Sequence, residues 1–128
     1  MTDLNLIETL EAPLPLGHYS QATVIQGCIY VSGQLPIDPF DDKRHFDTPE
    51  EQTLQTLRNL KAVVESAGGQ LGTIAKVGIF ITDIDFWPKV NFAYSQFFGE
   101  YKPARTAVPV VALPKGYLIE IDAVAYVA

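Results

Sequence analysis

Arg105 is the side chain in this sequence best suited to grip an anion. It stands between Pro103-Ala104 and Thr106-Ala107, just before an apolar strand-like run, with no acidic residue after it until Glu120. A guanidinium at the mouth of a strand can fork two N–H donors onto a carboxylate. The competing role is a structural ion pair with Glu120 or Asp122, and position alone does not separate the two. Glu120 lies between Ile119 and Ile121, where a charge is costly unless it is paired or used. A carboxylate in a partly dry pocket can hold water or move a proton. Tyr19, in Gly17-His18-Tyr19-Ser20-Gln21, has a phenol that could lid a small pocket, although a Tyr opening a strand is more often core. Gly33, in Ser32-Gly33-Gln34, lets a ligand approach backbone N–H groups, and the same residues also suit a plain turn.

Other chemistries lack their residues. His18 and His45 are far apart in the chain, and no Cys/His/Asp spacing resembles a metal site. Asp38, Asp41, Asp42 and Asp47 lack the spacing and closing Glu of a calcium loop and read as a solvated surface loop. There is no phosphate-cradling glycine loop, dinucleotide fingerprint or Gly-x-Ser-x-Gly elbow. That leaves small-molecule chemistry without metal or organic cofactor, or binding alone.

The elements that must position these residues follow from pattern. Residues 22–32 form two β-rich runs meeting at Gln26-Gly27, a hairpin signal. Residues 36–47 are a surface loop. Thr48-Pro49-Glu50-Glu51 reads as N-cap, Pro at the first helical position and Glu three residues after the cap. Leu54, Leu57, Leu60, Val64 and Ala67 continue at helical spacing until Gly68-Gly69. Residues 76–82 predict a strand. A second helix, capped by Asp85 with Pro88 in its first turn, carries Phe86, Val90, Ala93, Tyr94 and Phe97 as a core stripe and ends at Gly99. Residues 106–111 and 118–126 predict the last strands, joined through Leu113-Pro-Lys-Gly116.

In the final strand Ile119, Ile121, Ala123 and Ala125 share one face, and Leu118, Glu120, Asp122 and Val124 the other. Two helices can cover one face of a four- or five-stranded sheet, and nothing remains to cover the second. That mixed apolar and charged face suggests an oligomer interface with a polar site in it, against the alternative of a solvated face.

Composition sets outer bounds. A chain of 128 residues, 48% hydrophobic and 19% charged, has the size and core of one domain over residues 1–128. A formal charge of −6 with no basic stripe argues against a nucleic-acid partner. The single cysteine, Cys28, fits a reducing compartment and sits in the apolar run 24–31, where it reads as a buried small hydrophobe. The acidic start lacks the basic and apolar regions of a signal peptide, and no run is long enough to span a bilayer. The expectation is a cytoplasmic protein without membrane partners.

Six segments, in order, resemble the Rid (YjgF-like) family over nearly the whole chain. They are Gly17-His-Tyr-Ser-Gln-Ala22, Val31-Ser-Gly-Gln-Leu-Pro36, Gln55-Thr-Leu-Arg-Asn-Leu60, Asn91-Phe-Ala-Tyr94, Pro103-Ala-Arg-Thr106, and Leu113-Pro-Lys-Gly116 with Ile119-Glu-Ile-Asp-Ala123. The resemblance implies a chorismate-mutase-like α+β fold and a homotrimer with inward-facing sheets and clefts between subunits. It implies cofactor-free hydrolysis of 2-aminoacrylate and 2-aminocrotonate, released by pyridoxal-phosphate dehydratases, to 2-keto acids and ammonia. On that resemblance Arg105 clamps the substrate carboxylate, Gly33 and Ala107 offer backbone groups, and Glu120 holds the attacking water. Tyr19 closes the cleft from the neighbouring subunit, and Asn91 supports. Two departures stand out: Ala107 replaces a Cys found in some members, and Gly17-His18-Tyr19 replaces the usual Gly-Pro-Tyr. A non-catalytic 2-keto-acid-binding regulatory trimer, and the ribonuclease or chaperone activity attributed to some relatives, remain competing readings.

Overall fold

The computed structural model describes residues 3–128. Six strands and two helices run in the order β1 (Asn5–Ile7), β2 (Ala22–Ile25), β3 (Cys28–Gln34), α1 (Pro49–Ser66), β4 (Ile74–Ile81), α2 (Trp87–Phe98), β5 (Ala104–Pro109) and β6 (Ile119–Tyr126). The strands form one mixed sheet, ordered β1-β2-β3-β6-β4-β5. β6 is antiparallel to both β3 and β4, so α1 carries the chain between two parallel strands with β6 inserted between them. α2 makes the second crossover, between β4 and its parallel neighbour β5. This is the expected α+β class with two helices on one face. The sheet exceeds the four or five strands expected, because the three-residue β1 is too short and too exposed to leave a periodic signal.

The hairpin forms at Gln26-Gly27, both with positive φ (50° and 76°), the backbone that a two-residue turn of the favoured twist requires. α1 begins as its sequence predicts: Thr48 Oγ1 accepts from the Glu51 N–H at 3.1 Å, with Pro49 in the first turn. It ends in a Schellman motif, Gly69 N–H donating to Val64 O and Gly68 N–H to Glu65 O, with Gly68 at φ 96°. Leu57, Leu60, Val63 and Val64 are fully buried, while Leu54 and Ala67 are half-buried.

Three boundaries differ from expectation for local reasons. Asp83, rather than Asp85, caps the approach to α2. Its side chain accepts from the Asp85 N–H at 2.9 Å and opens a single 3₁₀ turn over Ile84–Phe86 before Trp87. β4 starts at Ile74, since its register with β6 shifts between Ile74 and Lys76 and breaks the alternation at Ala75. β5 covers Ala104–Pro109, which puts Arg105 inside the strand rather than before it.

The core lies between the helices and one sheet face: Ile29, Val31, Val77, Ile79, Ile81, Ile119, Ile121, Ala123 and Ala125 meet Leu57, Leu60, Val63, Val64, Val90, Tyr94 and Phe98. Each Val, Leu or Ile side chain among them removed from water contributes about 1.5–3 kcal/mol. Among the described residues no element covers the opposite face. Glu120, Asp122 and Val124 are only half-buried there, and Tyr30 and Tyr126 are exposed. Cys28 belongs to this open face, alternating with buried Ile29, so it is a half-buried free thiol rather than a core residue.

α1 also buries a polar stripe that periodicity of apolar residues does not reveal. Asn59 Nδ2 donates to Leu35 O at 2.9 Å and Ile37 O at 2.8 Å. Gln52 Nε2 donates to Phe46 O, and its Oε1 accepts from the Leu118 N–H at 2.8 Å. The helix thereby fixes the chain just after Gly33 and just before Glu120.

Candidate functional site

The candidate residues fall into two groups on opposite faces of the sheet. In the parallel ladder Arg105 pairs with Val77 and Ala107 with Ile79, so both side chains rise on the helix-covered face. Glu120 alternates with buried Ile119 and Ile121 and points to the open face.

In the first group, Arg105 sits on the sheet's edge strand and leans against α2. Its Nη1 donates to Asn91 Oδ1 at 2.9 Å. Its Cζ lies 4.7 Å from the Trp87 ring centroid and 4.8 Å from that of Tyr94. Beside it opens a cavity of about 380 Å³ lined by Asn91, Tyr94, Phe98, Tyr101 and Arg105. Among the described residues Arg105 has no ion pair with Glu120 or Asp122; the ion pair found is Arg44–Asp38, at 3.5 Å. The structural salt bridge that sequence position left open is therefore absent from the described chain. The guanidinium is solvent-exposed, with one of its five donors committed to Asn91. It is available to a carboxylate.

The second group surrounds Glu120. A cavity of about 470 Å³ is lined by Leu16, Tyr19, Gly33, Leu35, Pro114 and Glu120. The register of β3 with β6 breaks between Val31 and Gln34, releasing Ser32 and Gly33 from the ladder. The carboxylate fills the space thus opened: a Cβ on Gly33 would lie 2.6 Å from Glu120 Oε2. Burial, and secondly the charge of Asp122 on the same face, push the Glu120 pKa above its ordinary 4.5. Burial likewise raises Asp122, opposed by hydrogen bonds from its own and the Gly78 backbone and by Lys76. Tyr19 accepts from the Leu16 N–H at 3.2 Å, which leaves its phenolic proton free to donate into the cavity. Its loop is held by Gln21, a buried amide that accepts from Thr9 N and donates to the carbonyls of Thr9, Ala12 and Pro13.

Asn91 and Ala107 thus accompany Arg105, while Tyr19 and Gly33 accompany Glu120. Sequence reading paired Gly33 with Ala107 and Arg105 with Glu120; within one chain the fold separates both pairs. It also left Trp87 unassigned and treated Tyr94 as core alone. Their signal was the i, i+4, i+7 spacing of Trp87, Asn91 and Tyr94 on α2. Among the described residues no three His, Cys, Asp or Glu side chains come together to hold a metal, and no helix is long and apolar enough to cross a membrane.

Residues 9–127 match the family model described as Endoribonuclease L-PSP. The chain belongs to the Rid (YjgF/RutC) family. Among solved Rid structures, YyfA from Yersinia pestis is 43% identical and superposes with a TM-score of 0.92, over 97% of this chain and 99% of that one. E. coli TdcF, crystallised with bound serine, is 36% identical with a TM-score of 0.91, over 97% and 99% of the two chains. The human protein named 2-iminobutanoate/2-iminopropanoate deaminase is 38% identical over 120 residues, 94% of this chain and 88% of its own.

Proposed function

We propose that this Rid-family chain hydrolyses reactive 2-enamine and 2-imine acids, such as 2-aminoacrylate and 2-aminocrotonate, to 2-keto acids and ammonia. We further propose that it does so as a homotrimer whose active sites lie between subunits. The observation that carries this reading is the separation of Arg105 from Glu120. Each half-site is open and lacks the other's chemistry, and the face that holds Glu120 has no cover among the described residues. A second copy that sets its Arg105 edge against the Glu120 cavity supplies both needs. The deaminase name of the human relative and the serine bound in TdcF support a small amino-acid-like ligand.

In this reading Arg105, held by Asn91, takes the substrate carboxylate with two parallel N–H donors. Protonation of the enamine at C3, with loss of an N–H proton, gives the imine. Water held by Glu120 adds its oxygen to C2, and the C=N π pair passes to nitrogen, which takes up a proton. The resulting carbinolamine collapses: the C–N bond breaks, ammonia leaves and the hydroxyl loses its proton to become the keto group. The sum is enamine plus water giving keto acid plus ammonia. Glu120, with its raised pKa, is suited to accept a proton from water and return one to nitrogen. Gly33 and Ala107 contribute backbone groups, and Tyr19 closes the cleft. An imine is already electrophilic, so orientation and one placed water suffice, with neither metal nor cofactor called for. We place the reaction in the cytoplasm, which suits the free Cys28 thiol and the short life of the substrates. The net charge of −6 counts against RNA as a substrate.

The serine bound in TdcF also favours a second reading, a regulatory trimer that holds 2-keto or amino acids without turnover. One assay separates the two. A dehydratase generates 2-aminoacrylate, and pyruvate release is followed with wild type, Arg105→Ala and Glu120→Ala. Acceleration by wild type, near-background rates with Arg105→Ala and a smaller loss with Glu120→Ala are expected. No acceleration by wild type, with keto-acid binding intact, establishes the regulatory reading instead.

A further inference from the structure

Trp87, Asn91 and Tyr94 occupy one stripe of α2, at i, i+4 and i+7, and all three meet Arg105 of β5. Arg105 has no carboxylate to hold it among the described residues, yet its long side chain is fixed on two ring surfaces and one amide oxygen. We propose that Trp87 and Tyr94 are positioning residues that hold the Arg105 guanidinium through its π-faces and so set the plane in which its remaining N–H donors meet a carboxylate.

The chemistry favours this division. A planar guanidinium stacked on aromatic rings keeps all five donors at its in-plane edge, so stacking and bidentate hydrogen bonding do not compete. Asn91 takes one donor and fixes rotation within that plane. Tyr94 is 6% exposed, and its hydroxyl has no hydrogen-bond partner among the described residues. Burial raises its pKa to about 12 despite the opposing Arg105 charge, so the ring facing the cation stays a neutral phenol. Trp87 is half-buried at the start of the helix, where its ring both packs against the core and meets the Arg105 guanidinium.

The inference rests on the reading of Arg105 as a carboxylate clamp, and two measurements keep them apart. In the ligand-free protein, NMR compares the Arg105 side-chain Hδ and Hε resonances with those of Arg58, whose guanidinium bonds the Gln55 amide. Ring currents are expected to shift Arg105 upfield, less so in Trp87→Leu and again fully in Trp87→Phe. Calorimetry with 2-ketobutyrate is expected to show binding about two- to fivefold weaker in Trp87→Leu, restored in Trp87→Phe. In an Arg105→Ala background Trp87→Leu should have no further effect. Unshifted Arg105 resonances, or Trp87→Leu binding equal to wild type, overturns the positioning role. So does the same loss in the Arg105→Ala background. Upfield, Trp87-dependent resonances with no 2-ketobutyrate binding by wild type overturn the carboxylate clamp and leave the aromatic hold standing.

Discussion

Arg105 and Glu120 stand on opposite faces of the same sheet, two strands apart across β4, each at the wall of its own cavity. The packed sheet lies between the two side chains within one chain. The proposed reaction, which needs both, draws them from different copies.

The contact between Gly33 and Glu120 gives a first expectation. Gly33→Ala introduces a methyl 2.6 Å from Glu120 Oε2 and 2.9 Å from its Cδ, forcing the carboxylate aside. The backbone there does not need positive φ, and a flexible side chain can yield. Deaminase turnover is expected to fall about tenfold or more, as one misplaced group costs, with the melting midpoint changed little. Steady-state kinetics beside thermal denaturation checks this; unaltered kcat would place Glu120 outside the chemistry.

Much of this arrangement was readable from residue order, for identifiable reasons. Thr48, Pro49 and Gly68-Gly69 carry local signals that act within a few residues, and α1 forms where they say. Alternation in 118–126 correctly placed Glu120 and Asp122 on the face away from the core. What stayed hidden depends on contacts distant in sequence. Asn59 and Gln52 look like solvent-facing positions until the loop after Gly33 folds over them. The separation of Arg105 from Glu120 follows from β6 inserting between β3 and β4, which no spacing announces.

The buried amides of α1 predict a stability effect. Asn59→Ala leaves Leu35 O and Ile37 O without that donor and frees the Gln55 amide it accepts from. A loss of about 2–3 kcal/mol is expected, from three buried or part-buried hydrogen bonds removed at about 1 kcal/mol each. Urea unfolding at fixed protein concentration measures it. Arg58→Ala, on the exposed side of the same helix, should cost far less.

Glu120 gives the fold a pH signature. Its folded pKa is raised, so the folded state holds the proton more tightly than the unfolded chain, whose value is near 4.5. The favourable contribution is complete below that value and is lost as pH rises through the folded pKa. Glu120→Gln should therefore be relatively more stable than wild type toward neutral pH and lose the advantage on acidification. Melting midpoints of the two proteins from acid to neutral pH test the sign; parallel curves would mean an unshifted carboxylate.

Complementation between the near-inactive Arg105→Ala and the impaired Glu120→Ala chain reaches the central claim most directly. Arg105→Ala and Glu120→Ala are unfolded together in equal amounts, refolded as mixed oligomers and assayed on 2-aminoacrylate. If each site takes Arg105 from one subunit and Glu120 from the next around a trimer, about a quarter of the sites regain both residues. Activity should exceed the mean of the parents by about a quarter of the activity that Glu120→Ala lacks. Activity no higher than that mean, in mixtures shown by mass spectrometry to contain hybrid oligomers, would contradict a site shared between copies.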